Sequence, residues 1–174
     1  MMIPTSTAMR HPLFERRTIA GCFVGARRWH GIASCPGPTY NVAMTIAVIL
    51  SAILLSIAAL HVLWGIGYWM PINEEAALAR AVAGFAGIEK MPGPVPCALV
   101  AVALLMAAAS LWWPHGLWRT CAMALIAAVF LLRGLAPFTI FWRKLTPVEP
   151  FATLDRRYYG PLCLALGLGF ASQI

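Results

Sequence analysis

The sequence predicts an all-α membrane protein, a bundle of four transmembrane helices with a short interfacial helix between the first and second spans. The chain is 61% apolar and only 11% charged, whereas soluble domains are about half apolar and about a quarter charged. Its apolar residues form long runs without ionisable groups, and its basic residues gather at the ends of those runs. A globule of 174 residues cannot bury so much apolar surface, so lipid is the expected solvent.

The formal net charge of +7 would suggest a nucleic-acid partner if the chain were soluble. Here the basic residues flank apolar runs, a distribution that suits anionic lipid headgroups and topology signals. We therefore expect the lipid bilayer as the partner, and no nucleic acid.

Residues 1–41 differ from the rest of the chain, because they hold prolines and five arginines but no apolar run long enough for a span. A signal peptide needs a continuous apolar segment, and glycines break the stretch 18–26. Ile19-Ala20-Gly21-Cys22 is similar to a lipoprotein cleavage box but lacks that segment too. We expect a disordered tail or a mis-annotated extension with translation beginning at Met44, followed by a transmembrane domain over residues 42–174.

The first span is predicted at about residues 44–67, since a bilayer core requires about 20 apolar residues. Trp64, Tyr68 and Trp69 then form an interfacial aromatic belt, and Pro71 stops the helix. Beyond it, residues 73–85 place Leu78, Val82 and Phe85 at helical spacing. With Asn73 as its cap, this segment is either a helix lying on the membrane surface or a solvated loop helix.

Three further spans are predicted at about residues 95–113, 117–138 and 158–172. Pro114-His115-Gly116 is a tight turn, so the second and third spans are expected to be antiparallel neighbours. A loop with two prolines precedes the short fourth span. The chain shows no internal repeat of the kind found in many transporters.

Polar residues concentrate at one side of this arrangement. Four spans place both termini on one side, which we call side A, and His61, Arg133 and Asp155 then lie near the opposite side B. A buried Arg133 needs an acid, and Asp155 is the nearest on that side, so the two are predicted to pair. Alternatively, Arg133 snorkels to the interface, His61 bonds only a helix carbonyl, and Asp155 with Arg156 merely caps the fourth span.

Catalytic and metal-binding patterns are absent from the sequence. The five cysteines are scattered without a Cys-x-x-Cys pair, which argues against a disulfide framework and a zinc knuckle. No serine–histidine–acid spacing, no His-Glu-x-x-His and no glycine-rich phosphate loop occurs. We therefore expect no cofactor, no metal and no assigned catalytic residue, and the sequence favours binding over enzymatic activity.

Several segments together resemble a bacterial family of small integral membrane proteins, the domain of unknown function family 3995. The similar positions are His61, Trp64, Gly65, Gly67, Trp69 and Pro71, then Met91-Pro92, Leu132-Arg133-Gly134 and the segment from Pro150 to Gly167. The resemblance covers about residues 44–170 and implies a four-span protein of the bacterial inner membrane. It implies no activity.

The candidate site is a polar pocket near side B, lined by His61, Trp64, Trp69, Arg133, Asp155, Arg156, Tyr159 and Cys163. We expect it to bind a small amphipathic molecule, a lipid headgroup or a partner peptide. The alternatives are an intramembrane enzyme that uses His61 with Arg133 or Arg156, and a transporter or channel subunit acting as a homo-oligomer.

The orientation depends on where translation starts. Over the whole chain, the loops on each side carry six basic residues, and the positive-inside rule is silent. If translation begins at Met44, the count is one against six, and side B faces the cytoplasm. We favour that orientation, with both termini outside.

Overall fold

The structure, a computed structural model, describes residues 38–174, and over these residues it contains helices and no strands. The predictions for residues 1–37 lie outside the described part of the chain. The first helix already begins at Pro38, so the predicted boundary at residue 42 falls inside that helix.

Seven α-helices, a 3-10 turn and a π-helical segment make up residues 38–174. In chain order these are α1 (Pro38–Gly65), α2 (Glu75–Val82), α3 (Pro94–Ser110), α4 (Leu117–Leu135), the 3-10 turn (Ala136–Phe138), α5 (Ile140–Leu145), α6 (Phe151–Leu154), the π segment (Asp155–Tyr159) and α7 (Gly160–Ala171).

Local sequence explains several of these boundaries. Pro94 begins α3, where a missing backbone N–H costs nothing and the fixed φ suits a helix. At the start of α5, the Thr139 hydroxyl accepts a hydrogen bond from the backbone N–H of Trp142 at 3.3 Å, which caps that helix. Gly67, with a φ of 85°, turns the chain just after α1 ends.

The segment α2 packs against protein, and its cap differs from the prediction. Glu74 occupies the N-cap position, without a side-chain hydrogen bond, instead of Asn73. Leu78 and Ala79 are buried in a small cluster with Met91, against which Trp64 and Trp69 pack. Since the Glu75 carboxylate also accepts a hydrogen bond from the Met91 N–H at 3.1 Å, α2 is tied to the segment that leads into α3.

Two antiparallel helix pairs organise the structure. The helix α1 packs along α3 and α4 packs along α7, while fewer contacts join α1 to α7 and α3 to α4. The end of α1 approaches the start of α3, where a Cβ on Gly65 would lie 3.4 Å from the Cβ of Cys97. The turn between α3 and α4 therefore joins the two pairs. These two helices contact each other, as their short connection predicts, but each packs mainly against another helix.

All four apolar helices contribute side chains to one hydrophobic core. The core includes Leu54 of α1, Leu111 just after α3, Met123 of α4 and Phe170 of α7. Phe130 stacks against Phe170 with the ring centroids 5.9 Å apart. The residues facing away from this core are also apolar, and many of them are exposed.

Two helical segments, Tyr40–Gly65 and Leu117–Phe138, are long and apolar enough to cross a membrane. The apolar helix α3 is shorter, at 17 residues, and α7 has 12 residues. The last stretch is nevertheless helical without interruption from Phe151 to Ala171, because α6 and the π segment run directly into α7. The fourth predicted span, which starts at residue 158, thus begins inside a longer helical stretch.

Glycine permits the closest approach between α4 and α7. A Cβ added at Gly134 would lie 2.8 Å from the backbone nitrogen of Leu164 and 2.7 Å from its Cγ. A Cβ at Gly167 would likewise lie 2.7 Å from the Cγ of Leu131. These two glycines therefore let the backbones of the pair approach, as small residues do at helix interfaces in membranes.

We expect Gly134→Ala to destabilise the protein despite the better helix propensity of alanine, which is worth about 1 kcal/mol. The added methyl meets backbone as well as side chain, and overpacking of this kind costs about 1–3 kcal/mol. The thermal midpoint of the purified protein in detergent, followed by circular dichroism, measures the effect. Gly93→Ala is the control, since a Cβ there meets nothing within 4 Å. A thermal midpoint of Gly134→Ala that equals or exceeds that of the wild type would contradict the close contact between α4 and α7.

Candidate interfacial site

A buried ion pair joins α4 to the π segment. Arg133 Nη2 donates to Asp155 Oδ1 at 2.7 Å, which confirms the pairing that the sequence predicts. The Asp155 side chain is 2% exposed and that of Arg133 is 32% exposed. The carboxylate is therefore fully desolvated, and the guanidinium group keeps partial access to its surroundings. Arg133 therefore does not follow the alternative in which it only snorkels to the membrane interface, because it is paired with Asp155.

Trp142 of α5 completes the environment of Asp155. Its indole Nε1 donates to Asp155 Oδ2 at 2.8 Å, so each carboxylate oxygen accepts a hydrogen bond. The Arg133 guanidinium carbon also lies 5.1 Å from the centroid of the Trp142 ring, within range of a cation–π interaction. Three residues from three separate elements thus meet at the Asp155 carboxylate.

Sequence reasoning missed Trp142, because a neutral donor in a connecting segment carries no charge pattern. One indication was available: a buried carboxylate with one arginine partner still needs a donor for its second oxygen. An indole N–H on the same side of the predicted membrane is such a donor.

The π segment sets the position of Asp155 within a continuous helical stretch. The N-cap residue of α6 is Pro150, so Asp155 does not serve as the helix cap that one interpretation of the sequence proposed. Gly160 at the end of the segment packs closely, since a Cβ there would lie 3.1 Å from the carbonyl oxygen of Gly134. Single π turns occur frequently at functional sites, where they redirect side chains.

Contacts with the α2 region hold the same stretch from the other side. Tyr159 donates its hydroxyl hydrogen to the carbonyl oxygen of Ala81 at 3.3 Å. The Phe151 ring lies 6.0 Å from the Tyr159 ring and packs on Gly84, whose φ of 66° and lack of a Cβ make room for it. These contacts tie the α2 region to the start of the last helical stretch.

A cavity of about 700 Å³ opens beside the ion pair. It lies between the 3-10 turn, α5, the following loop and the π segment. Its basic side chains are Arg143, Lys144, Arg156 and Arg157, and its acidic ones are Glu149 and Asp155. The other lining residues include Pro137, Phe138, Ile140, Trp142, Thr146 and Thr153. We call this space the basic cavity.

A second, smaller cavity of about 130 Å³ lies at the start of α3. His61, Trp64, Met91 and Cys97 are among the residues that line it. His61 Nδ1 is 2.8 Å from the carbonyl oxygen of Ile57 on its own helix, and its ring centroid lies 5.0 Å from that of Trp64. This is the helix-carbonyl contact that one interpretation of the sequence allowed.

The prediction of one shared pocket therefore differs from the structure. His61 and Trp64 line the small cavity, whereas Asp155 and Arg156 line the basic cavity. The two groups are separated because their helices belong to different pairs. The helix α1, which bears His61 and Trp64, packs on α3, while Arg133 and Asp155 belong to the α4–α7 pair.

The remaining candidate residues line neither cavity. Trp69 packs in the α2 cluster, Tyr159 bonds to Ala81, and Cys163 is half-buried on α7. Within residues 38–174 the cysteines are free, and no group of three histidine, cysteine or acidic side chains could hold a metal ion.

A buried arginine at the opposite end of α4 was also missed. Arg119 is 5% exposed, and its Nη1 donates to the carbonyl oxygen of Gln173 at 3.1 Å. This contact ties the start of α4 to the residues just after α7. It lies far along the helix from Arg133, and we treat it as structural.

We expect Asp155→Asn to reduce stability far more than Glu149→Gln. Removing one partner of a buried ion pair costs about 3–5 kcal/mol, and the partial exposure of Arg133 favours the lower end of that range. Glu149 is exposed and accepts only the Thr153 backbone N–H at 3.2 Å, which glutamine can also accept. Folded yield and thermal midpoint in detergent measure both effects.

The double variant Arg133→Leu with Asp155→Leu separates charge from shape. Replacing both partners with apolar groups leaves no unpaired charge, so it should recover part of the loss seen with Asp155→Asn. Equal stability of Asp155→Asn and Glu149→Gln would contradict a structural role for the pair.

Comparison with known proteins places this chain by family alone. A family model described as a protein of unknown function (DUF3995) matches residues 54–170, which include α3, α4, all of α7 but its last residue, and both cavities. No curated protein matches the chain. No solved structure matches it either. Since the matched region extends over most of the chain, this protein belongs to the DUF3995 family.

Proposed function

We propose that this chain is an integral membrane protein with four spans that binds an amphipathic molecule in the basic cavity. One observation carries the proposal: an open cavity of about 700 Å³, rich in charged side chains, lies at one end of the apolar pair α4 and α7. A site of that size is within the range of small-molecule pockets, about 300–1,000 Å³.

The exposed surface of the helices supports insertion in a membrane. Leu117, Trp118 and Leu132 on α4 are 76%, 85% and 69% exposed. A soluble protein rarely presents apolar patches of this extent, whereas lipid solvates them. The helices α1 and α4 are long enough to span by themselves.

The two shorter helices, α3 and α7, become long enough to cross a bilayer when the helical residues next to them are included. Helical hydrogen bonds continue past α3, from the Leu111 N–H to the Ala108 carbonyl and from the Trp112 N–H to the Ala109 carbonyl. The helical stretch from Phe151 to Ala171 extends well before α7 itself. At about 1.5 Å per residue, and with local thinning of the bilayer, both are compatible with spans.

The surroundings of the basic cavity suit a molecule with a polar head and an apolar tail. On α5, Ile140 and Phe141 are 74% and 78% exposed, while Arg143 and Lys144 follow directly and line the cavity. Such a short amphipathic helix is typical of the membrane interface. A headgroup in the cavity would therefore leave its tail beside the exposed apolar side chains of α5.

The contacts favour binding over the enzyme alternative. The proposed acid–base residue His61 lies in the small cavity with Nδ1 engaged by Ile57, and Arg156 lies in the basic cavity. Arg133 is already bound to Asp155. A reaction at one centre would require these groups to converge on one substrate.

Filling the basic cavity should remove the bound molecule. Thr153 lines the cavity with an exposed side chain, so Thr153→Trp adds bulk without changing charge or disturbing the core. Native mass spectrometry of the protein purified from membranes should show an adduct of amphiphile mass for wild type and at least a fivefold weaker adduct for Thr153→Trp.

Two results decide this test. Val100→Trp is the control, because Val100 is exposed and lines the small cavity instead. An adduct that is absent from wild type, or lost equally in both variants, would count against binding in the basic cavity.

We further propose that the end of the helices bearing the basic cavity faces the cytoplasm. With translation beginning at Met44, Arg119 is the one basic residue at the opposite end within residues 44–174, whereas Arg80, Lys90 and the four cations of the cavity lie at this end. Such a bias marks the cytoplasmic side. Alkaline phosphatase fused after Ile174 should be active and a fluorescent protein at that position dark, and fusions after Lys90 should show the reverse. The opposite pattern would overturn the orientation.

A further inference from the structure

We infer that the basic cavity selects an anionic glycerophospholipid headgroup, with the phosphate held by Arg143, Lys144 and Arg156. This inference rests on the proposed function and adds the chemical class of the ligand. It follows from which charges in the cavity are already paired and which are not.

The two carboxylates in the cavity are both engaged by groups other than its cations. Asp155 accepts from Arg133 at 2.7 Å and from Trp142 at 2.8 Å, and Arg133 does not line the cavity. Glu149 accepts the Thr153 backbone N–H at 3.2 Å, at the start of α6. The negative charge of Asp155 is thus offset from behind the wall. The Glu149 carboxylate keeps its charge, so the four cations face one uncompensated negative charge in the cavity.

The cations themselves are free to bind a ligand. The ion pair between Arg133 and Asp155 is the one salt bridge within the described part of the chain. Arg143, Lys144 and Arg156 are exposed and take part in no ion pair there. Arg157 differs, since its guanidinium carbon lies 5.7 Å from the centroid of the Tyr158 ring, which orients it along that ring.

Phosphate is the group that this set of donors fits best. Arginine presents a planar fork of N–H donors that matches phosphate oxygens in pairs, and lysine adds a compact charge. A headgroup that carries its own ammonium group would place a cation among four others, so choline and ethanolamine lipids are disfavoured. A glycerol headgroup leaves the net charge negative and can hydrogen-bond to Thr153, which is exposed and also lines the cavity.

The lipid is preferred over a soluble phosphate compound because of what surrounds the donors. Ile140 lines the basic cavity, and the adjacent Phe141 is strongly exposed on the same turn of α5. An acyl chain buries these side chains, whereas a free phosphate leaves them exposed. The contact between the tail and these α5 side chains should therefore make the lipid bind more tightly than its headgroup alone.

The test uses the full-length protein in detergent, titrated with dioleoyl phosphatidylglycerol and dioleoyl phosphatidylcholine and followed by native mass spectrometry. Wild type should bind the glycerol lipid at least tenfold more tightly. The double variant Arg143→Gln with Lys144→Gln should lose most of that preference, since each cation near an anionic surface contributes roughly fivefold.

The matched control removes the same charges elsewhere. Arg80 and Lys90 are exposed and lie outside the basic cavity, so Arg80→Gln with Lys90→Gln changes the net charge equally. That variant should keep the preference. If both double variants lose it to the same degree, general attraction explains the binding and the inference fails. Unchanged thermal midpoints show that both variants fold.

Two further arms separate the ways in which the inference can fail. If Thr153→Trp abolishes lipid binding while Arg143→Gln with Lys144→Gln leaves the preference intact, the proposed binding function stands and the anionic selection is wrong. If glycerol phosphate binds wild type as tightly as the lipid does, the ligand is a soluble anion and the lipid assignment is wrong. Weak binding of glycerol phosphate, at least a hundredfold below the lipid, supports it.

Discussion

The carboxylate of Asp155 holds together the part of the structure in which the basic cavity forms. One of its oxygens binds Arg133 at the end of α4, and the other binds the indole of Trp142 in α5. If either donor moved away, this deeply buried carboxylate would lose one of its two hydrogen bonds, which is costly because a desolvated charge without partners costs several kcal/mol. The position of α5 is therefore coupled to that of the π segment. Since both elements line the basic cavity, the shape of the cavity depends on the same pair of hydrogen bonds.

Close backbone packing brings the acid and the base to this distance. Gly134 follows Arg133 directly and Gly160 ends the π segment, and a Cβ on Gly160 would lie 3.1 Å from the Gly134 carbonyl oxygen and 3.0 Å from that of Asp155. A larger residue at either position would force α4 and α7 apart. The charged side chains would then have to reach across a gap, and the carboxylate would gain solvent. The glycines and the ion pair therefore stabilise the same contact between α4 and the last helical stretch. The glycines allow the backbones to come close, and the ion pair holds them there by charge.

The sequence predicted the elements better than their lateral arrangement. Long apolar runs located the helices, and the need of Arg133 for an acid located its partner, because both rest on strong and local physical requirements. The position of His61 near the end of α1 was also predictable from the sequence. Position along a helix, however, does not reveal which neighbouring helix the side chain faces. His61 faces the small cavity at the start of α3, away from Asp155. Trp142 is neutral, so no charge pattern pointed to it. The prolines before Phe151 predicted a loop that reaches the fourth span at residue 158, whereas the chain is helical from Phe151 onward.

The ion pair also increases the net positive charge of the basic cavity. Asp155 lines the space, and Arg156 and Arg157 follow it in sequence, so an unpaired Asp155 would be the natural partner for one of them. Arg133 approaches from α4, outside the lining, and binds the carboxylate there. The two neighbouring arginines thereby keep their charge for whatever enters the cavity. A single buried salt bridge thus has two effects on the basic cavity. It holds the elements that line the cavity in place, and it prevents Asp155 from lowering the positive charge inside it. Replacing Asp155 with a neutral residue would keep the interior positive while loosening the walls, whereas replacing Arg133 would release a carboxylate that lowers the positive charge of the interior. The two substitutions at one ion pair should therefore differ in their effect on anion binding, and that difference distinguishes an electrostatic role of the pair from a purely structural one.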